Sequence, residues 1–144
     1  MLTLHSVKDM LATVMQDEPE LTIFGIGVHH SFKKNNYDYL LEMQKSRVQL
    51  LECVEQVHWT VEYLNSHVTK INNVNKEFTS YTVKHVLEKR HPAKYLSNGV
   101  LIAAAMVAGY PVKKIKNSPN VHIGFSSKDI KRLNKENINY PRNR

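Results

Sequence analysis

The sequence is poor in the groups on which most enzymes, secreted proteins and membrane proteins depend. Cys53 is its only cysteine, so no internal disulfide and no cysteine-built zinc site can form. No apolar run approaches the roughly 18 residues that span a bilayer. Met1 to Met15 lacks the basic flank and apolar block of a secretory signal. These absences predict a cytoplasmic protein with no membrane partner. There are 8 histidines, but no HExxH or HxxxH spacing, and His58 and His67 lie nine apart on different faces of a helix. No metal site and no cofactor is therefore expected. After residue 77 the only carboxylates are Glu88, Asp129 and Glu136, too few for a two-metal nuclease. No motif pairs a nucleophile with a base, and the expectation is a non-enzyme. Glycine is scarce too. Gly25 and Gly27 form a bare GxG in an apolar run, Leu21 to Val28, that is followed by His29-His30-Ser31 rather than by a helix start. That context suits a strand and not a dinucleotide loop.

What is present is an uneven charge. Residues 1–77 carry 7 basic and 10 acidic side chains, whereas residues 78–144 carry 13 basic and 3 acidic, a net of +10. Such an asymmetry points to a polyanion partner, DNA or RNA being the commonest.

The acidic half opens with Ser6-Val7-Lys8-Asp9, a capping-box form that predicts a short helix over 6–16. From Asn36 to Ile71 there is neither Gly nor Pro. Leu40, Met43, Arg47, Leu50, Val54, Val57, Val61, Leu64, Val68 and Ile71 recur at alternating intervals of three and four, and all but Arg47 are apolar. This is a heptad seam on one helix of roughly 48 Å. It predicts homodimerisation through Leu40, Met43, Leu50, Val54, Val57, Val61, Leu64 and Val68. Packing inside a monomeric bundle is the alternative. Asn72-Asn73-Val74-Asn75 should end the helix and mark a boundary.

The basic half reads helix, turn, helix, hairpin. Thr79 or Ser80 caps a helix over 81–90, and His91-Pro92 breaks it. Asn98 to Ala108 is an apolar helix closed by Gly109-Tyr110-Pro111. With no charge on it, this helix must be buried and cannot read base edges. Val112 to Lys116 and Val121 to Phe125 flank the turn Asn117-Ser118-Pro119-Asn120 as a hairpin. Ser126-Ser127-Lys128-Asp129 opens a last basic helix to about Asn134, and 137–144 forms a basic tail expected to be mobile.

The fold class expected is mainly α with a small β-hairpin. Residues 1–75 should hold the N-terminal helix, a strand and the long helix, residues 76–136 a winged-helix-like basic module, and residues 137–144 the tail. In element order the basic module resembles a winged helix-turn-helix. Ser80-Tyr81-Thr82-Val83-Lys84-His85, Tyr95-Leu96-Ser97-Asn98-Gly99 with the following apolar run, Gly109-Tyr110 and Pro119-Asn120 also resemble a small module of phage, plasmid and island proteins. That resemblance implies a mobile-element setting and assigns no site.

The functional expectation is a nucleic-acid-binding accessory or regulatory protein, DNA more than RNA, that docks electrostatically. Its contacts would come from Lys84, Lys89, Arg90 and Lys94, from the hairpin lysines Lys113, Lys114 and Lys116, and from Lys128, Lys131 and Arg132. These contacts would position the backbone and carry no sequence information themselves. The alternative is a protein-interaction factor that blocks a host nucleic-acid-processing or defence complex.

Overall fold

The computed structural model describes residues 2–28 and 36–140. Six α-helices and two small antiparallel sheets make up these residues, so the chain is mainly helical. None of the described helices is long and apolar enough to cross a membrane.

Helix α1 spans Leu4–Asp17. It starts two residues before the expected position because Thr3, not Ser6, is the cap. Thr3 and Ser6 satisfy each other's backbone N–H groups, and Val7, Leu11 and Met15 face inward. The expected strand over 21–28 is instead a tight hairpin. Strand β1 (Leu21–Thr22) pairs with β2 (Gly25–Ile26), and Gly25 sits at φ +122° where a side chain would be strained. The buried Thr22 hydroxyl donates to the Gly27 carbonyl at 2.8 Å and closes the turn.

The single helix expected over 36–71 is two helices and a strand. Helix α2 covers Asn36–Glu52 and α3 covers Val54–His67. Between them Cys53 leaves the helical region (φ −93°, ψ 25°). The second helix stops at Val68 because tertiary partners take its end groups. The buried Tyr110 hydroxyl shares its one proton between the Leu64 and Val68 carbonyls, at 2.9 and 2.6 Å. The Asp129 carboxylate accepts from the Thr69 N–H at 2.8 Å, and that bond holds its pKa below the ordinary value. Burial pushes the Tyr110 phenol up to about 12. The chain then enters strand β3, Lys70–Asn75, where a helix end was expected.

The seam residues do not form one exposed stripe. Met43, Leu50, Val57, Val61, Leu64 and Val68 are buried inside the protomer, Val54 packs against that core, Leu40 is exposed, and Ile71 belongs to β3. As a dimer seam this set is therefore corrected: most of it already contacts the chain's own core.

Helix α4 runs Ser80–Glu88, capped by Thr79, and α5 runs Asn98–Val107. Ser97 caps α5 through the Val100 N–H, displacing Asn98 from the expected cap position. Strands β4 (Val112–Lys114) and β5 (Val121–Phe125) form the expected hairpin. Strand β3 joins it, giving a three-stranded sheet in the order β3-β5-β4. Helix α6, Ser127–Glu136, is capped by Ser126 and followed by a 3-10 turn over Asn137–Asn139.

Helix α5 is the centre of the core. Its residues Asn98 to Ala105 are all buried, and α1, α3 and α4 pack around it. Val7 and Leu11 of α1, Val61 and Leu64 of α3, and Ile130 and Leu133 of α6 belong to the same apolar cluster. A boundary at residue 75 falls at the end of β3, but one core serves both sides of it.

Candidate nucleic-acid interface

The ten basic residues proposed as contacts separate into those held by the fold and those that are not. Lys84 is buried, only 8% exposed. Its ammonium meets Glu88 at 3.4 Å and lies over the rings of Tyr81 and Tyr95. Arg90 is a staple between α4 and α6. Its guanidinium donates to the Asn137 side chain at 2.7 Å and the Leu133 carbonyl at 3.1 Å, and it stacks on Tyr140 at 4.3 Å. Lys94 turns back to the Lys89 carbonyl at 2.9 Å. Lys84, Arg90 and Lys94 are thus occupied in structure. Lys114 pairs with Glu18 at 2.8 Å, which raises its pKa, and Lys131 pairs with Glu77 at 2.9 Å. Arg132 contacts Asp129, Glu136 and the His67 carbonyl. These pairs are exposed on at least one side, so solvent screens them and phosphate could compete for them.

Lys89, Lys113, Lys116 and Lys128 make no ion pair with another described residue. Lys113 and Lys116 are exposed on β4 and the turn after it, while Lys89 caps the end of α4 and Lys128 lies in the first turn of α6. The uncompensated charge therefore occupies two places, the hairpin and the α4–α6 face.

The hairpin does not project as a free wing tip. The Pro119 carbonyl accepts from the Ile26 N–H at 2.9 Å. The Asn98 amide donates to the Phe24 carbonyl and the Asn120 side chain, both at 3.0 Å. With the Lys114–Glu18 pair on the other arm, both arms are fastened to the N-terminal half. Lys116 and Asn117 remain exposed at the bend, where Asn117 adopts φ +57°. The whole tip is therefore not free to enter a groove, and contact from its lysine-bearing edge is what the geometry leaves.

The described tail is not loose either. Asn137 is buried, donates to the Val86 carbonyl at 2.9 Å and accepts from Arg90. Pro141, Arg142 and Arg144 of the expected basic tail lie outside the described residues, as do His29, His30, Lys33 and Lys34.

Two aromatic residues escaped the sequence reading. Tyr81, within the helix expected over 81–90, is 50% exposed, and Tyr95 in the link after it is 56% exposed. A helical wheel would have found the first: Tyr81 lies roughly 160° from Val83, which is on the buried face. Nothing local marks Tyr95. On the other side of α4, His91 is buried edge-on against Trp59 at 4.8 Å, and desolvation lowers its pKa. Its Nδ1 accepts from the Ala93 N–H, so this histidine shapes the link between α4 and α5. Among the described residues no group of three or more His, Cys, Asp or Glu side chains is placed to hold a metal ion.

No family model matches the chain, and neither the curated proteins nor the solved structures include one significantly similar to it.

Proposed function

We propose that the protein is a nucleic-acid-binding accessory or regulatory factor, with DNA favoured over RNA, that docks on phosphates through its basic half. The observation that carries this reading is the set of exposed, uncompensated lysines, Lys89, Lys113, Lys116 and Lys128, in a half with a net charge of +10. The element order from α3 to β5, with β3 paired to the last strand of the hairpin, supports a winged-helix variant. In this variant α5 is scaffold, because it is buried and bears no base-reading side chain. The contacts are to the backbone, and a mobile-element accessory role fits such sequence-tolerant docking.

Changing Lys113, Lys116 and Lys128 together to Ala should weaken duplex binding and lower the log–log salt slope by about 0.9 for each lysine that contacts a phosphate. Fluorescence anisotropy over a salt series measures this. A slope equal to that of the unmodified protein would remove these lysines from the interface.

Self-association belongs to the same reading, but through a different face from the heptad seam. Leu41, Gln44, Val48 and Leu51 of α2 are spaced 3, 4 and 3, and all four are exposed. Their helix buries only Met43, Ser46 and Leu50. A two-heptad stripe with one central polar residue fits a helix of the same period, and a second copy of α2 supplies one. Together with Leu40 the patch amounts to roughly a few hundred Å², the size that marks association surfaces. Sedimentation at several concentrations should show a dimer that Leu41→Lys with Val48→Lys converts to monomer. A wild-type monomer at roughly tens of micromolar would refute self-association and favour the reading as a factor that binds another protein.

A further inference from the structure

We propose that α4 and the link to α5 form a stacking platform for unpaired bases, so that the ligand of the basic half is single-stranded nucleic acid. This inference rests on the nucleic-acid reading and narrows it.

The platform is built around one buried ammonium. Lys84 Nζ lies 5.3 Å from the Tyr81 ring centroid and 5.5 Å from that of Tyr95. The two centroids are therefore no more than 10.8 Å apart, within reach of at most about three neighbouring nucleotides at roughly 3.4 Å each. Lys84 is itself fixed by Glu88, which also accepts from His85 Nδ1 at 2.7 Å and from the Leu96 N–H at 3.4 Å. His85 meets the Tyr81 ring edge-on at 4.5 Å. Both tyrosines are thus about half exposed yet held from behind, and stacking a base on them costs little further ordering. Cations on one side of each ring do not block the outer side.

A cleft of about 540 Å³ opens beside Tyr81 between α4 and α6, lined among others by His85, Lys89, Lys131 and Asn134. Lys89 supplies an unpaired cation for a phosphate there. The Asn134 amide offers both a donor and an acceptor to a base edge. The Glu88 carboxylate at the cleft is already paired with the Lys84 ammonium, so it does not oppose phosphate. Bases in a duplex are stacked on each other and cannot reach a tyrosine face, whereas an unpaired strand can splay its bases onto aromatic rings and lay its phosphates along lysines.

The test compares a labelled oligothymidylate, an oligouridylate and a duplex of equal length by anisotropy. Wild-type protein should bind the single strands more tightly than the duplex. Tyr81→Ala with Tyr95→Ala should weaken single-strand binding about tenfold or more, without changing the salt slope, because no charge is removed. Tyr81→Phe with Tyr95→Phe should bind like wild type, and thermal melts of both variants should match the parent. DNA and RNA arms distinguish which single strand is preferred. Single-strand affinity unchanged in the alanine variant, or lost in parallel with duplex affinity, overturns the platform. If duplex binding persists and responds only to Lys113, Lys116 and Lys128, the broader reading stands and this one falls. No binding to any of the three ligands at low salt refutes both.

Discussion

Gly99→Ala is expected to lower the thermal midpoint by roughly 10 °C or more, as a loss of about 3 kcal/mol would do in a chain of this size. Gly99 sits in the first turn of α5, beneath the β1–β2 hairpin. A Cβ there would overlap the Thr22 carbonyl oxygen and fall 2.6 and 2.7 Å from the Ile23 carbonyl carbon and oxygen. All three are backbone atoms, so no rotamer change relieves the clash. The hairpin cannot retreat easily, because Leu21 and Thr22 are fully buried and the Gly99 N–H donates to the Ile23 carbonyl at 3.0 Å. Gly109→Ala makes the useful contrast. Its φ of +84° is strained for alanine, but the nearest atom to a new Cβ is the mobile Lys70 ammonium at 3.5 Å. It should cost about 1–2 kcal/mol. Equal melting of the two variants would show that close approach at α5 is not what Gly99 provides.

The second large effect is expected at Arg47. Its guanidinium donates to the Met15, Glu18 and Leu21 carbonyls at 2.7, 2.9 and 2.9 Å, tying the end of α1 and the start of β1 to α2. Burial lowers its pKa. Arg47→Met keeps the aliphatic stem and removes all three charge-assisted bonds. Glu18 is partly buried and its carbonyl regains some water, whereas Met15 and Leu21 are buried, so the loss should be about 2–4 kcal/mol in urea denaturation. Arg47→Lys should recover little, because one ammonium lacks the planar fork that reaches three acceptors. Limited proteolysis should cut α2 first in the methionine variant. Resistance of α2 to cleavage there would mean that the Leu50 and Met43 contacts alone hold this helix.

Arg47 also shows how much could be read in advance. It is the one polar residue among ten seam positions, and that exception was visible. Its meaning was not, since its acceptors lie 26 to 32 residues earlier in the chain. The seam misled for a related reason. Intervals of three and four fit a helix that faces any apolar neighbour, and do not distinguish a second chain from the chain's own core. The ends of α4 and α5 were legible because Thr79, Gly109 and Pro111 act locally. Strand β3 was not. Lys70-Ile71-Asn72-Asn73-Val74-Asn75 has little intrinsic strand preference, and it becomes a strand because β5 offers it an edge. At the candidate interface the lysines were visible as charge. Which of them Glu18, Glu77 and Glu88 would neutralise depended on contacts between distant segments.

The position of β5 at the middle of its sheet has a consequence for biosynthesis. Lys70 pairs with Phe125 across 55 positions. At the roughly 5–20 residues per second of translation, β3 leaves the ribosome several seconds before the strand that receives it. Until α5 has followed, α3 carries Val57, Val61 and Leu64 without the helix that packs on them. The nascent chain must therefore wait as an apolar, half-assembled intermediate. Contacts between α1 and α3 are available early, but the shared core closes only once the basic half has followed.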